Sequence, residues 1–266
     1  MQIPFIQFAT WHTLVPFLSQ SEGWVFRGQK SYASDALQTS LERAAKHLRQ
    51  EPLGLERHVL REFKRRATLS GELNLPHNDD IVQWLALLQH HGAPTRLLDF
   101  THSVWVALFF AVERMQENSE IWCVRGSSFS RRLQAPWSGD KNAALKLILE
   151  PSDGSSVPAN IPSAVFKDEP FYLNRRLALQ QGCFLIPFDV RQSFEANFYS
   201  PATGLEEGHD PNLSEITDFL SKTNIFKIMI SQDQHSTIRS NLRRMNMTRE
   251  HLFPGLDGLA MSFWQE

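Results

Sequence analysis

The stretch LQHHGAPTRLLDFTHSVWVALFFAV, Leu88 to Val112, joins two apolar helical patterns through a short polar turn. The preceding pattern DIVQWLALLQHH predicts a helix that ends at Gly92, because glycine suits a left-handed helix cap and Pro94 cannot continue a helix. RLLDF predicts a short strand. HSVWVALFFAVERM predicts a deeply buried helix, since it is apolar on nearly every side. The rest of the fold has to be built around this helix, turn, strand and buried helix.

The turn and strand also carry a dense set of hydrogen-bonding side chains: Gln89, His90, His91, Thr95, Arg96, Asp99 and Thr101. One interpretation is structural: Asp99 or Thr101 caps the buried helix, and Arg96 pairs with Asp99. Capping needs only one or two of these groups, and each buried group left without a partner costs roughly 1–3 kcal/mol. We therefore expect the others to form a polar wall that faces a cleft.

A second polar cluster lies in WVFRGQ, residues 24–29, which predicts a strand. Arg27 offers a planar fork of donors that suits phosphate or carboxylate. Gly28 would let a ligand approach the backbone, with Gln29 beside it. The competing interpretation is that Arg27 pairs with an internal glutamate.

A third cluster lies in NRRLALQQGCF, and LALQQGCFLIPFDV predicts a strand that is entered through Gln180, Gln181 and Gly182. Paired glutamines at the start of a strand can hydrogen-bond to a ribose hydroxyl or to an amide. They cannot act as a general base.

Elsewhere the patterns are of mixed type and predict an α+β fold with a mixed or mostly antiparallel sheet flanked by helices. Thr39 and Glu42 form a capping-box pattern that predicts the start of a helix. EIWCVR and IFKIMI predict strands, and STIRSNLRRM predicts an amphipathic helix. Residues 126–161, around a helix at 141–149, and residues 200–212 predict loop-rich insertions. We expect one domain over residues 1–266, with a core from about 24 to 260.

Composition restricts the possible functions. The 266-residue chain is 42% hydrophobic with a net charge of -2, which gives no support to non-specific nucleic-acid binding. A basic stretch from Arg43 to Ala67 predicts a solvated helix face or a phosphate-facing surface.

Cys123 and Cys183 lie in apolar strand patterns and are expected to be buried thiols. No metal-binding motif such as CxxC or HExxH occurs, so no metal is expected. The absence of a signal-peptide pattern and of a long apolar run predicts a cytoplasmic protein without membrane contact.

With these motifs the chain resembles the FRG domain family, from about Trp24 to Ala260. WVFRGQ contains the Phe-Arg-Gly that names the family, and WLALLQHHGAPTRLLDFTHSVWVALFFAV, NRRLALQQGCF and LFPGLDGLA also carry the resemblance. FRG domains are distantly similar to the ADP-ribosyltransferase fold, which implies a split antiparallel sheet that cradles NAD. By that similarity Arg27 and Gly28 match the first motif, and LLDFT leading into the buried helix matches the second. Gln180 and Gln181 occupy the place of the third motif, where the fold has a glutamate.

The resemblance implies two main hypotheses. The first is an NAD-dependent ADP-ribosyltransferase-like enzyme, acting as a bacterial or phage toxin or defence effector on an acceptor that is a protein or a nucleic acid. Arg27, Asp99 and Gln181 are its candidate catalytic residues. Its candidate NAD-binding residues are Arg27, Gly28, Gln29, Gln89, His90, His91, Thr95, Arg96, Thr101 and Gln180. The second hypothesis is a catalytically inactive module that binds nucleotide or nucleic acid. A metal-dependent nuclease using His90, His91 and Asp99 ranks lowest, because adjacent histidines on a helix point about 100° apart.

Overall fold

A computed structural model gives the fold of the protein. It describes residues 3–19, 22–30, 37–71, 74–113, 117–126, 137, 140–151, 160–170, 175–198 and 213–263. The predicted insertion at 200–212, and most of the one at 126–161, lie outside these residues.

The described residues contain a mixed seven-stranded sheet in the order β1-β7-β4-β2-β3-β6-β5. The strands are β1 (Phe5–Gln7), β2 (Trp24–Lys30), β3 (Leu98–Thr101), β4 (Ser119–Arg125), β5 (Val165–Asp168), β6 (Gly182–Pro187) and β7 (Ile225–Ile230). Only the short β1 runs parallel to its neighbour, β7, and every other pair is antiparallel. The predicted α+β class with a mixed, mostly antiparallel sheet is therefore confirmed.

The sheet is split between β2 and β3. β2 pairs with β4 along its whole length, from Trp24 opposite Arg125 to Lys30 opposite Ser119. With β3 it shares a single pair, Phe26 opposite Thr101. Past that pair the two strands separate, and among the described residues the backbone of β2 beyond Phe26 has no strand partner on that side. The split divides the sheet into β1-β7-β4-β2 and β3-β6-β5.

Helices surround the sheet: α1 (Trp11–Leu18), α2 (Ser40–Leu48), α3 (Pro52–Ala67), α4 (Ile81–His90), α5 (Val104–Val112), α6 (Lys141–Leu149), α7 (Arg175–Leu179), α8 (Phe194–Asn197), α9 (Leu213–Lys222), α10 (His235–Arg244), α11 (Arg249–Leu252) and α12 (Leu256–Ser262). Most begin at the side-chain caps that their sequences favour. The capping box at α2 forms as predicted, with Thr39 and Glu42 bonding each other's backbone N–H groups. α4 ends where predicted, since Gly92 adopts φ +83°.

The core has two parts on one face of the sheet and a third part on the other face. Phe26 and Ile121 pack with α1, α5 and α10, whereas Phe184 and Ile186 pack with α3, α4 and α6. Side chains that alternate with these along the strands, such as Val25 and Leu185, form the cluster on the opposite face. The split between β2 and β3 therefore lies where two separately packed helical layers meet.

Several elements differ from the sequence-based expectation. The buried helix α5 is capped by Ser103, whose hydroxyl accepts a hydrogen bond from Val106 N–H, so the capping roles proposed for Asp99 and Thr101 are wrong. Leu177 and Leu179 belong to the short helix α7 and not to a strand. The sequence analysis did not predict β1, α1 or β5, because these segments are short and show little alternation of polar and apolar residues.

Both cysteines are buried thiols, as predicted. Burial raises the pKa of Cys123 well above its ordinary value and raises the pKa of Cys183 to about 12. Because the thiolate is the reactive form, we expect neither cysteine to react with iodoacetamide at pH 8 in the folded protein. Intact-mass measurement should find two alkylations after denaturation in urea and none before it. Rapid labelling of native protein would contradict this packing.

Within the described residues, no helix combines the length and the hydrophobicity needed to cross a lipid bilayer.

Candidate functional site

Arg27 is the residue that spans the split. It is half-buried on β2, and its Nη1 donates to the backbone carbonyl of Asp99 on β3 at 2.7 Å. Its Nε is buried and has no hydrogen-bond acceptor among the residues that the structure describes. The expectation that Arg27 pairs with an internal glutamate finds no support there, since no carboxylate of the described residues forms a salt bridge with it. The guanidinium thus bonds across the two halves of the sheet through Nη1, while its Nε has no partner in the described part of the chain.

A second arginine, Arg43 on α2, adds positive charge near Arg27. Burial lowers the pKa of Arg27, the Asp99 carboxylate raises it, and Arg43 lowers it. Arg43 is exposed and donates from Nη1 to the carbonyl of Gln38 at 2.7 Å. Two guanidinium groups in the same neighbourhood repel each other unless an anion lies between them. The sequence showed Arg43 only as the first residue of a basic stretch, so its place beside Arg27 had to come from the tertiary structure.

Asp99 is exposed and held by a chain of hydrogen bonds from α4 and α2. Gln89 Nε2 donates to Asp99 Oδ1 at 2.8 Å, and Gln89 Oε1 accepts from the Thr95 hydroxyl. Thr95 N–H donates in turn to Ser40 Oγ at 3.0 Å. Three of the residues predicted to form a polar wall therefore meet here. This series of hydrogen bonds fixes Oδ1 of the Asp99 carboxylate, and the other oxygen has no hydrogen bond to the described residues.

A cleft with about 1600 Å³ of empty space, counted to the open solvent, lies beside this chain. It runs between α4, α7 and the loop before α4, and its lining includes His77, Gln83, Leu87, His90, Leu177 and Phe184. Phe184 is the direct cross-strand neighbour of Asp99. The mixture of apolar walls with a few polar groups is typical of small-molecule sites. Arg27, Arg43 and Asp99 lie outside its lining, and Phe184 connects the cleft to Asp99.

His90 lines the cleft, and Arg176 on α7 is close enough to affect the pKa of His90. Burial lowers the pKa of His90, as do the neighbouring His91 and Arg176. His90 is therefore neutral at pH 7, with its ring against that of His91 at 5.2 Å. Burial also lowers the pKa of Arg176, Asp99 raises it, and Arg249 lowers it. The Asp99 carboxylate thus interacts electrostatically with both Arg27 and Arg176.

Arg96 has a different role from the one expected. It is completely buried, and its Nε and Nη2 donate to Glu56 Oε2 on α3 at 2.9 and 2.6 Å. Its Nη1 donates to the Phe188 carbonyl at 2.8 Å. The predicted pairing with Asp99 is wrong, because these acceptors take the guanidinium into the core. Arg96 fixes α3 to the turn before β3, and we leave it out of the proposed ligand site.

Gly28 is explained by packing. A Cβ at this position would lie 1.8 Å from the carbonyl oxygen of Ala107 and 2.6 Å from the amide of Ala111. The backbone of α5 therefore fills the space that the glycine leaves open. The expectation that this space serves the approach of a ligand is wrong for the face of Gly28 that points at α5.

The third motif is tied to β3 through its backbone. Thr101 is buried, and its hydroxyl donates to the Gln180 carbonyl at 2.7 Å, while His102 N–H donates to the Gln181 carbonyl at 2.9 Å. The Gln180 side chain donates to the Leu252 carbonyl at 3.0 Å. Gln181 is exposed and adopts a left-handed φ of +46°. The strand order β2-β3-β6 places the three predicted motifs at neighbouring strands. The side chains of Gln180 and Thr101, however, are already hydrogen-bonded to backbone carbonyls of the protein.

A buried carboxylate that the sequence did not single out lies on β4. Glu120 Oε1 accepts from Gln29 Nε2 and from the Trp122 indole N–H, each at 2.8 Å, and its Oε2 pairs with Lys227 Nζ at 3.2 Å. Gln29, predicted to bind a ligand, is thus engaged by the protein. The sequence feature that could have indicated this buried carboxylate is the single glutamate at the start of the apolar strand pattern EIWCVR.

The basic face of α3 is only partly paired. Glu62 pairs with Arg61, Arg65 and Arg66, at 3.6, 2.9 and 3.1 Å, and Lys64 pairs with Glu150 at 2.7 Å. One carboxylate shared by three exposed arginines leaves the face positive, so both predicted alternatives, a solvated helix face and a phosphate-facing surface, stay open. In the part of the chain that the structure describes, no three His, Cys, Asp or Glu side chains are grouped as a metal site.

These features define an α+β domain with a split sheet, an arginine across the split and a cleft beside it. Residues 22–120, which contain β2, β3, α5 and both arginines of the split, match the family model described as FRG domain. Over this segment the chain is therefore similar to the FRG domain family. Comparison with curated proteins and with solved structures found no match.

Proposed function

We propose that the protein binds NAD or a related dinucleotide at the split between β2 and β3. One observation carries the proposal: Arg27 lies in the split without a carboxylate partner in the described chain, with Arg43 nearby. A pyrophosphate supplies the anionic oxygens that two adjacent guanidinium groups need. The resemblance to the ADP-ribosyltransferase fold supports the same ligand, since the three motifs lie on adjacent strands β2, β3 and β6.

In this proposal the rest of the ligand extends along Asp99 into the cleft. Arg27 and Arg43 hold the pyrophosphate, and the free oxygen of Asp99 accepts from a ribose hydroxyl. The apolar walls formed by Leu87, Leu177 and Phe184 receive a base. Neutral His90 can hydrogen-bond to that base without adding charge.

A second candidate function is cleavage of the bond between nicotinamide and ribose, with transfer of ADP-ribose to a nucleophile. The exposure and fixed orientation of Asp99 favour it, because a held carboxylate can stabilise the positive charge that develops on the ribose. Gln180 and Gln181 offer no carboxylate at the third motif, and Glu120 is saturated by its own partners. Asp99 is therefore the group on which the reaction would depend.

The proposal predicts a specific pattern of calorimetric affinities for NAD and ADP-ribose. Arg27→Gln should weaken binding about 10- to 100-fold, the value of one or two charge-assisted hydrogen bonds. Arg43→Gln should weaken it several-fold. Arg61→Gln is the matched control: it removes an exposed arginine from α3 and should leave the affinity unchanged. Equal affinities in all four proteins, each checked for an unchanged melting temperature, would exclude this site.

The same proteins decide between binding and catalysis. If the protein cleaves NAD, Asp99→Asn should keep the affinity within a few-fold and lower nicotinamide release about 100-fold or more. Asparagine retains the oxygen that accepts from Gln89, so the local hydrogen bonds survive. Release that stays at background in the parent protein would reject cleavage and leave the binding function standing. Binding of oligonucleotides that falls steeply with salt, and falls further in Arg61→Gln, would favour the nucleic-acid alternative.

A further inference from the structure

A second pocket lies on the far side of α5 from the sheet, between α5, α10 and the α11–α12 segment. It has about 460 Å³ of empty space, counted to the open solvent, and its apolar floor includes Phe109, Leu242 and Met247. None of the residues assigned to the nucleotide site lines it. It therefore needs an explanation of its own.

The charge of this pocket is positive. Its lining contains three arginines, Arg239, Arg243 and Arg249, and one carboxylate, Glu113. Arg249 Nη1 pairs with Glu113 Oε1 at 2.5 Å, which leaves two guanidinium charges without a lining counterion. A concave, partly apolar surface strengthens the field of such charges and attracts anions.

Some guanidinium N–H donors of these arginines have no strong acceptor among the described residues. Arg249 Nε is buried and has no acceptor in the described residues, and its Nη2 meets only the thioether sulfur of Met261 at 3.4 Å, a weak acceptor. Arg239 uses Nη1 to close the end of α5 at the Val112 carbonyl, at 3.0 Å. Arg243 is exposed and makes no side-chain hydrogen bond to the described chain. An anionic group at the mouth would meet the Arg243 guanidinium and Arg249 Nη2, since Arg249 Nε is buried, while its apolar part covers Phe109 and Leu242.

We propose that this pocket binds a small carboxylate that carries an apolar tail, with Arg243 and Arg249 gripping the carboxylate and the apolar floor receiving the tail. The available space suits a tail of only a few carbon atoms, in keeping with the lower end of ligand-pocket volumes, roughly 300 Å³. Both parts of the ligand are required: the charge for the arginines, and the tail for the floor. The ligand chemistry differs from that of the nucleotide site.

Ligand-observed NMR titration with sodium hexanoate tests the proposal. Hexanoate should bind at one site, and acetate, phosphate and 1-hexanol should each bind about tenfold more weakly or worse, because each lacks one of the two parts. Arg243→Gln should weaken hexanoate binding about tenfold. Arg244→Gln is the matched control, since Arg244 is an equally exposed neighbour on α10 that does not line the pocket.

The outcomes separate clearly. Equal hexanoate binding by Arg243→Gln and Arg244→Gln, or equal binding of hexanoate and 1-hexanol, would overturn the proposal. Phosphate binding as strong as that of hexanoate would overturn the requirement for a tail. Arg27→Gln should bind hexanoate like the parent protein, so failure of the nucleotide site and failure of this pocket are distinguishable.

Discussion

Gly28→Ala is expected to lower the free energy of unfolding by about 3 kcal/mol or more, the upper part of the range for overpacked cores. The added Cβ would lie 1.8 Å from the Ala107 carbonyl oxygen and 2.6 Å from the Ala111 amide. Both atoms belong to the backbone of α5, which is held in the core by buried side chains on nearly every side. No side-chain rotation can relieve the contact, so α5 has to move away from β2.

Urea denaturation followed by circular dichroism measures this change. Gly54→Ala serves as a control, because the nearest atom to its added Cβ is the flexible carboxylate end of Glu51, at 3.2 Å. Gly54 lies in α3, where alanine gains roughly 0.5–1 kcal/mol of helix propensity. We expect this variant to be as stable as the parent or slightly more so. A Gly28→Ala protein with the parent's midpoint would show that α5 does not pack on β2 as described.

The second large effect is expected at the buried pair Glu56 and Arg96. Both side chains are fully buried and bonded at 2.6 Å, so Glu56→Gln leaves a guanidinium charge in the core without its counterion. Removing one partner of such a pair costs about 3–5 kcal/mol. The double variant Glu56→Leu with Arg96→Met removes both charges and should cost less than the sum of Glu56→Leu and Arg96→Met measured singly.

The matched control for this pair lies on the same helix. Arg65→Gln breaks an exposed pair with Glu62, and such surface pairs contribute about 1 kcal/mol or less. Thermal and urea unfolding of the four single variants and the double variant form a complete set. Equal loss from Glu56→Gln and Arg65→Gln would mean that the core pair is open to water.

Part of the candidate site could be predicted from sequence because its signals are local. The turn at Gly92, the strand with Asp99 and the buried α5 all follow from residue order, and so does the concentration of Gln89, Thr95 and Asp99 in one stretch. Hydrogen-bonding groups this dense at a junction of core elements have to meet each other or a ligand. The structure joins these three in one chain of bonds.

Other parts of the site depend on partners that are distant in sequence. Arg96 was expected to bond to Asp99, its near neighbour, yet it bonds to Glu56 on α3. Gly28 looked like a place for a ligand to approach, yet α5 fills the space. Arg43 gained its role only from its place beside Arg27. In each case the local pattern singled out the residue or its stretch, but it gave the wrong partner or none.

The sequence by itself determined the α+β class, the caps of α2 and α4, the burial of α5 and of both cysteines, and the strands that carry the three motifs. These follow from hydrophobic periodicity and from capping chemistry, which act over a few residues. Only the tertiary structure decided that β2 and β3 separate after one pair, that Arg27 crosses the gap, and that Arg96 turns into the core. Those outcomes depend on how the two helical layers pack on the sheet, and packing joins side chains whose distance along the chain carries no information about their contact.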